Sequence, residues 1–199
     1  MTDPTAAPIA GIILAAGSSD RIGRPKLLLT HRGIPLLRHA VDAAVGAGCD
    51  EVIVVVGAHR EHYIPLLAEL PVRVVENPRY AEGLSSSIRV GIEALPEDVG
   101  AVVLLLADQP FIEATVVCQL IATYRTSGKQ IVTCSYGGLP GVPSLFDRAL
   151  FLELLVLEGD RGARAVVQAY PRHVATVEIP MEMARDIDTP ADVERLLSG

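Results

Sequence analysis

The sequence predicts an α/β fold with a mostly parallel sheet, and three observations carry that reading. Short, nearly unbroken apolar runs recur at Ile9 to Ala15, Glu51 to Val56 and Ala101 to Leu106, as in strands buried on both faces. Segments of helical period separate the first strands, so the chain opens β-α-β-α-β, which implies right-handed parallel crossovers. The core must be built from Val, Leu, Ile and Ala, because tryptophan is absent and aromatics make up only 4 % of the chain.

Residues 1–8 form a polar tail, expected to be frayed and without the character of a signal peptide. The strand Ile9 to Ala15 then empties into Gly17, Ser18 and Ser19, with Gly23 and the cations Arg21, Arg24 and Lys26 close behind. Small residues let backbone N–H groups approach phosphate oxygens, and cations supply the opposing charge. The connection is about ten residues long, beyond the two to six usual between elements, and reads as an anion-binding loop. It is not a P-loop, since five residues separate Gly17 from Gly23 and Leu27 follows Lys26. It also lacks the G-x-G-x-x-G of a dinucleotide site.

After the turn His31-Arg32-Gly33, Pro35 suits the first turn of a helix carrying Leu36, Leu37, Ala40, Val41, Ala44 and Val45, with Gly48 as its C-cap. The strand Glu51 to Val56, a helix from Arg60 to Leu70 and a strand from Val72 to Val75 follow. Asn77-Pro78 ends that strand. Ser85 or Ser86 can N-cap the next helix. The run Ser85-Ser86-Ser87 also offers donors at a helix N-terminus, where an anion or a polar base edge is favoured. Both readings stand at this point.

Ala101 to Leu106 is the most hydrophobic run, hence a central strand, and Asp108 follows it directly. Ligands of open α/β sheets bind at the carboxyl ends of strands. An acid there is costly to desolvate unless something compensates it. Mg²⁺ would do so, using one or two carboxylates together with substrate phosphates. The alternative is Asp108 as N-cap of a helix over Ile112 to Tyr124. Beyond the strand Gln130 to Ser135, the Gly- and Pro-rich stretch Tyr136 to Phe146 reads as a shaped loop, either an acceptor-binding lip or a packed surface loop. Glu158 to Arg164 reads as a turn opening a helix, with Asp160 as N-cap, and Val174 to Ile179 as the last strand. Thr189-Pro190 starts a final helix that buries Val193, Leu196 and Leu197. Asp186 and Asp188 alternate, so an extended segment turns both to one face. One of them could complete a metal site with Asp108; the alternative is that both serve the helix N-terminus.

With 199 residues, 50 % of them hydrophobic and 21 % charged, the chain reads as one globular domain. A net charge of −7 argues against a nucleic-acid or anionic-membrane binder, and no apolar run is long enough for a membrane span. Residues 17–41 hold Arg21, Arg24, Lys26, Arg32 and Arg38 against Asp20 alone, a local +4 that suggests a small anionic ligand. Cys49, Cys118 and Cys134 are widely spaced, as expected of free thiols in the cytoplasm.

The motifs LAAGSSDRIGRPK, EGLSSSIRVG, LLLADQP, GLPGVPSLF, GDRGAR and DIDTPAD run in this order from Ile12 to about Leu197. Together they resemble the MobA-like NTP transferases, most closely the molybdenum cofactor cytidylyltransferases. The resemblance implies a three-layer α/β/α Rossmann-like domain, Mg²⁺, and transfer of a nucleoside monophosphate onto the phosphate of molybdopterin with release of pyrophosphate. A molybdoenzyme or its chaperone would be the partner. Carried over to this chain, Leu14, Ala15, Ala16, Gly17, Ser18, Ser19, Arg21 and Lys26 bind nucleotide, together with Ser86 and Ser87. Lys26, Arg21 and Asp108 are catalytic, and Asp108 binds metal with Asp188, or with Asp186 in its place. The loop reads LAAG where guanylyl members tend to read LAGG, which favours CTP. Ile22 stands where methionine or phenylalanine is common, and Val142 where cytidylyl members often carry histidine. A phosphate monoester acceptor, with a second pKa of about 6, is already a nucleophile at neutral pH, which fits the lack of a His-Asp or Cys-His pair. Two other readings are kept: a nucleotidyltransferase for another phosphorylated acceptor, and a non-catalytic domain that binds nucleotide or cofactor for an oxidoreductase.

Overall fold

The computed structural model describes residues 7–198; most of the predicted tail lies outside them. The strands are β1 (Ile9–Ala15), β2 (Thr30–His31), β3 (Ile34–Pro35), β4 (Glu51–Val56), β5 (Arg73–Glu76), β6 (Ala101–Leu106), β7 (Ile131–Tyr136), β8 (Leu139–Asp147) and β9 (Val174–Glu178). The helices are α1 (Leu36–Gly46), α2 (Arg60–Leu67), α3 (Leu84–Glu93), α4 (Ala114–Ser127), α5 (Phe151–Leu155), α6 (Arg164–Ala169) and α7 (Pro190–Ser198). Seven strands form one sheet in the order β5-β4-β1-β6-β8-β7-β9, and β2 pairs with β3 in a separate hairpin. Within the large sheet β8 alone runs antiparallel to its neighbours.

Alternation along the strands divides the core into two layers. Ile9, Ile13 and Ala15 of β1, Val52, Val54 and Val56 of β4, and Ala101, Val103 and Leu105 of β6 face one side, where α1, α2, α4 and α7 cover them. Ala10, Ile12 and Leu14, Ile53 and Val55, and Val102 and Leu104 face the other, under α3, α5 and α6. Apolar residues at every position are what a two-sided sheet requires, and the result is the expected three-layer α/β/α architecture.

Most of the stretch from Tyr136 to Phe146 is strand, not loop: Tyr136 ends β7, Gly137 and Gly138 turn the chain, and β8 begins at Leu139. Leu139–Asp147 inserts between β6 and β7. Its Pro and Gly residues are tolerated because the register slips there: Thr133 pairs with Ser144 while the next residue, Cys134, pairs with Gly141, so Val142 and Pro143 bulge out of the ladder. Thr133 Oγ1 donates to the Gly141 carbonyl oxygen at 2.7 Å and closes the bulge. Gly141 is needed because an added Cβ would lie 2.8 Å from the Tyr136 ring.

Three predicted caps are replaced by others. Gly83, not a serine, precedes α3, and Ser85, Ser86 and Ser87 are buried within its first turn. Ala163, not Asp160, precedes α6. Glu113 precedes α4, which leaves Asp108 free of capping duty. Thr189 and Asp192 close the start of α7 reciprocally: Asp192 Oδ2 accepts from the Thr189 amide at 2.9 Å, and the Asp192 amide donates to Thr189 Oγ1 at 3.3 Å.

Candidate functional site

Because β1, β4 and β6 are parallel, their carboxyl ends open on one rim. A cleft of about 710 Å³ lies there, lined by Leu14 to Ser18, Arg21 and Lys26 from the segment after β1. Asp108 from the end of β6, Asp186 and Asp188 from the approach to α7, and Ser87 from α3 complete it. At its centre the Lys26 ammonium donates to Asp108 Oδ2 and to Asp188 Oδ1, each at 2.6 Å. These residues are 82 and 162 positions apart in the chain. The Lys26 side chain is 13 % exposed, that of Asp108 19 % and that of Asp188 42 %. Burial alone would lower the Lys26 pKa, but the charge of Asp108 and the hydrogen bonds that both acids accept outweigh it and hold the ammonium above the usual lysine value. Arg21, mostly solvent-exposed, reaches Asp188 Oδ2 at 3.4 Å.

Asp186 sits beside this pair and is held separately. Its Oδ1 accepts from the buried Gln109 side chain at 2.7 Å. Desolvation, then the charge of Asp108, push its carboxyl up to about 6, against the lowering effect of Gln109. Asp108 Oδ1 is buried and has no hydrogen-bond partner, an unmet demand that a cation would satisfy.

The loop after β1 is shaped by its own contacts. Ser19 adopts φ +59°, and its carbonyl accepts from the amides of Ile22 and Gly23, both at 3.0 Å. Ser18 Oγ donates to Asp20 Oδ2 at 2.7 Å. No backbone carbonyl accepts from the amides of Gly17, Ser18 or Ser19 among the described residues. This leaves them available to an anion.

Two predicted binding residues do not line the cleft. Ser19 Oγ accepts from the Lys26 amide at 3.4 Å, within the loop. Ser86 Oγ donates to the Gly83 carbonyl and accepts from Asn77 Nδ2, both at 2.8 Å. Asn77 Nδ2 also donates to Ser87 Oγ at 3.0 Å, so the Asn77 that ends β5 anchors the first turn of α3.

The local +4 of residues 17–41 does not converge on the cleft. Arg38 pairs with Asp42 along α1, and Arg32 lines a different cavity with His31 and Phe111. Arg21 and Lys26 face five carboxylates in the cleft, those of Asp20, Asp108, Asp160, Asp186 and Asp188. Sequence reasoning passed over Tyr80 and Asp160 as lining residues. Tyr80 packs where an added Gly57 Cβ would come within 2.7 Å of it. Asp160 arrives because Gly83, at φ +103°, lets the 158–162 turn approach: a Cβ on Gly83 would lie 2.5 Å from the Gly159 backbone. A second cavity of about 240 Å³ adjoins the cleft and shares Leu14, Leu84 and Leu106 with it. Its far wall is Pro140, Gly141 and Val142 of β8, and its polar groups are confined to Thr133, Ser144 and Arg164.

A parallel sheet with a Gly/Ser loop leaving β1 and an acid ending the adjacent β6 is the architecture of nucleotidyltransferases. The chain belongs to the MobA-like NTP transferase domain family, which it matches over residues 11–175. It is 31 % identical to the nicotine blue oxidoreductase of Paenarthrobacter nicotinovorans, over 95 % of this chain and 96 % of that protein. The crystal structure of Rv0371c from Mycobacterium tuberculosis H37Rv superposes with a TM-score of 0.86 at 31 % identity, covering 98 % of this chain and all of that one. The same relative has been solved in complex with manganese, with a TM-score of 0.80. The chain spans about a quarter of the length of the bifunctional GlmU proteins that it also matches, such as that of Mycolicibacterium gilvum, at 34 % identity over 61 % of this chain and 26 % of that protein. Among the described residues no helix is long and apolar enough to cross a membrane.

Proposed function

We propose that the protein moves a nucleoside monophosphate, CMP from CTP, onto the phosphate of a molybdopterin-type acceptor and releases pyrophosphate. The observation that carries this reading is the meeting of Lys26, Asp108 and Asp188 beside the Gly17–Arg21 loop. Free amides on that loop suit the triphosphate oxygens, and Arg21 and Lys26 offset charge on the α-phosphate and the leaving pyrophosphate. The cleft carries more carboxylates than cations, so a polyanion enters favourably only with added positive charge. Asp108 and Asp188 are the residues that would hold Mg²⁺, which when bound supplies that charge and fixes the phosphate for in-line attack. Two carboxylates already gathered on one ammonium, with one Asp108 oxygen unpartnered, fit such an ion.

The remaining work is positioning. Tyr80 offers a ring for a base to pack on. Ala16, buried against Gly57, narrows the wall beside it, which supports the smaller pyrimidine. The apolar slot under β8 suits the ring system of an acceptor whose phosphate projects into the cleft. The product would pass to a molybdoenzyme or its chaperone, in the reducing cytoplasm that suits three free cysteines. The deciding experiment measures pyrophosphate release with each NTP in turn, with Mg²⁺, with and without molybdopterin. Release with CTP that requires the pterin supports the proposal; release with CTP and a sugar phosphate instead moves the acceptor to another class.

One observation favours a second reading. The similarity to nicotine blue oxidoreductase runs the length of both chains, and the slot's lining also suits a flat aromatic compound. Oxidation of a reduced nicotinamide cofactor coupled one-for-one to reduction of a flat aromatic compound, with no pyrophosphate released from any NTP, would select redox turnover.

A further inference from the structure

Outside the cleft, one group of side chains has no part in the proposed chemistry. His59, Glu61 and His62 lie where β4 turns into α2, with one donor atom from each all within 4.8 Å of one another. Among the described residues this is the one set of three His, Cys, Asp or Glu donors gathered so closely. His62 Nδ1 is 3.0 Å from Glu61 Oε1, and the rings of His59 and His62 are 6.2 Å apart. His59 adopts φ +59°, a left-handed conformation unfavourable to a residue with a side chain. The turn carries that strain and brings His59 Nε2 to 2.8 Å from the Ser18 carbonyl oxygen. A carbonyl only accepts, so Nε2 carries the proton and Nδ1 keeps its lone pair. A backbone carbonyl holding the far nitrogen is the contact that fixes tautomer and ring orientation in metal-bound imidazoles.

We propose that His59, Glu61 and His62 form a second cation site, for a zinc-like transition metal, whose occupancy braces Ser18 and the loop it belongs to. Two imidazoles and a carboxylate suit Zn²⁺, Ni²⁺ or Cu²⁺; Mg²⁺ takes oxygen donors. Tetrahedral zinc with bonds of about 2.0–2.2 Å sets its donors about 3.3–3.6 Å apart. Donors up to 4.8 Å apart therefore close by up to about 1.5 Å, a side-chain rotation within the reach of half-exposed and exposed groups. Three protein donors leave a position for water, so the site is open. Ser18 lines the cleft, so a single hydrogen bond separates the two sites. That the brace acts on nucleotide rests on the proposed function; that the site binds metal does not.

The test is calorimetric titration of Zn²⁺ into the full chain under saturating Mg²⁺, for wild type, His62→Ala, Glu61→Gln and Asp108→Asn. Wild type and Asp108→Asn are expected to bind one equivalent, and His62→Ala to bind at least about 100-fold more weakly. His62 and Glu61 are exposed, so thermal melts of these variants should match wild type. Zn²⁺ binding that survives both His62→Ala and Glu61→Gln, or that is lost in Asp108→Asn, overturns the site. CTP affinity is then measured with and without Zn²⁺: a shift of about threefold or more in wild type and none in His62→Ala supports the brace, and equal affinity in wild type overturns it. A protein that binds Zn²⁺ as expected but no nucleotide counts against the transferase reading and leaves the metal site standing.

Discussion

Lys26→Met removes the one side chain among the described residues that hydrogen-bonds both Asp108 and Asp188 while keeping most of its volume. The ammonium makes two contacts of 2.6 Å. Asp108 is 19 % exposed, so its contact acts nearly in full, about 1.5–3 kcal/mol for a hydrogen bond to a charged group. Asp188 is 42 % exposed; water screens that contact to about 0–1 kcal/mol. The cost of desolvating the wild-type ammonium offsets part of this, and the net loss is about 2 kcal/mol. For a chain of this size each kcal/mol moves Tm by about 2–4 °C, so the variant should melt about 4–8 °C below wild type. It also frees both carboxylates for a divalent ion. The rise in Tm on adding Mg²⁺ should therefore be larger in Lys26→Met than in wild type, by linkage. Turnover should fall on the order of 100- to 1,000-fold, the scale of losing one transition-state electrostatic contact. Paired thermal melts with and without Mg²⁺, alongside pyrophosphate release, read all three quantities. A Mg²⁺-induced rise no larger in the variant than in wild type would refute the assignment of the carboxylates to the metal. Wild-type turnover would refute the role of Lys26.

Further outcomes follow from the same geometry. Asp108→Asn should erase the Mg²⁺-dependent rise in Tm and cost about 100-fold or more in turnover; an unchanged rise would locate the metal elsewhere. Gly83→Ala should destabilise by more than about 2 kcal/mol in urea titrations, because a Cβ at φ +103° meets the Gly159 backbone at 2.5 Å; an unshifted midpoint would contradict the close approach of the two loops. Val142→Phe should fill the slot under β8, raising the acceptor KM and leaving the CTP KM alone; equal changes in both would deny the slot its acceptor. Burial pushes the thiols of Cys49 and Cys134 up to about 12, whereas Cys118 is exposed. Maleimide at neutral pH should give one adduct per native chain by mass spectrometry, on Cys118, because the thiolate is the reactive form; adducts on Cys49 or Cys134 would show a looser core.

What could be read from the chain divides along physical lines. The strands β1, β4 and β6 were legible because burial on both faces demands apolar residues without interruption. The strand β8 was not. Pro140, Gly141 and Pro143 carry the composition of a turn, and their place in the sheet depends on a register slip against Thr133 and Cys134 that no local pattern encodes. Asp108 stood out as an acid ending the most hydrophobic run, and the alternation of Asp186 and Asp188 marked a second acidic face. Which acid meets Lys26 depends on a contact spanning 162 residues, and sequence reasoning left it open. The +4 stretch does not mark one binding surface. Helix α1 and its hairpin carry Arg38 and Arg32 elsewhere, and the cleft itself is acidic. The serine run misled in part, since Asn77 and Gly83 occupy Ser86 internally while Ser87 reaches the cleft. His59 and His62, spaced three apart at the start of a helix, offered the one signal from which the second cluster could have been found.

Nucleotide binding should require a divalent cation held by the rim acids. Calorimetric titration of CTP into the wild-type chain, with Mg²⁺ and then with a chelator, measures it. Binding with Mg²⁺ that disappears in the chelator is the expected result. CTP held as tightly without the metal as with it would contradict the account.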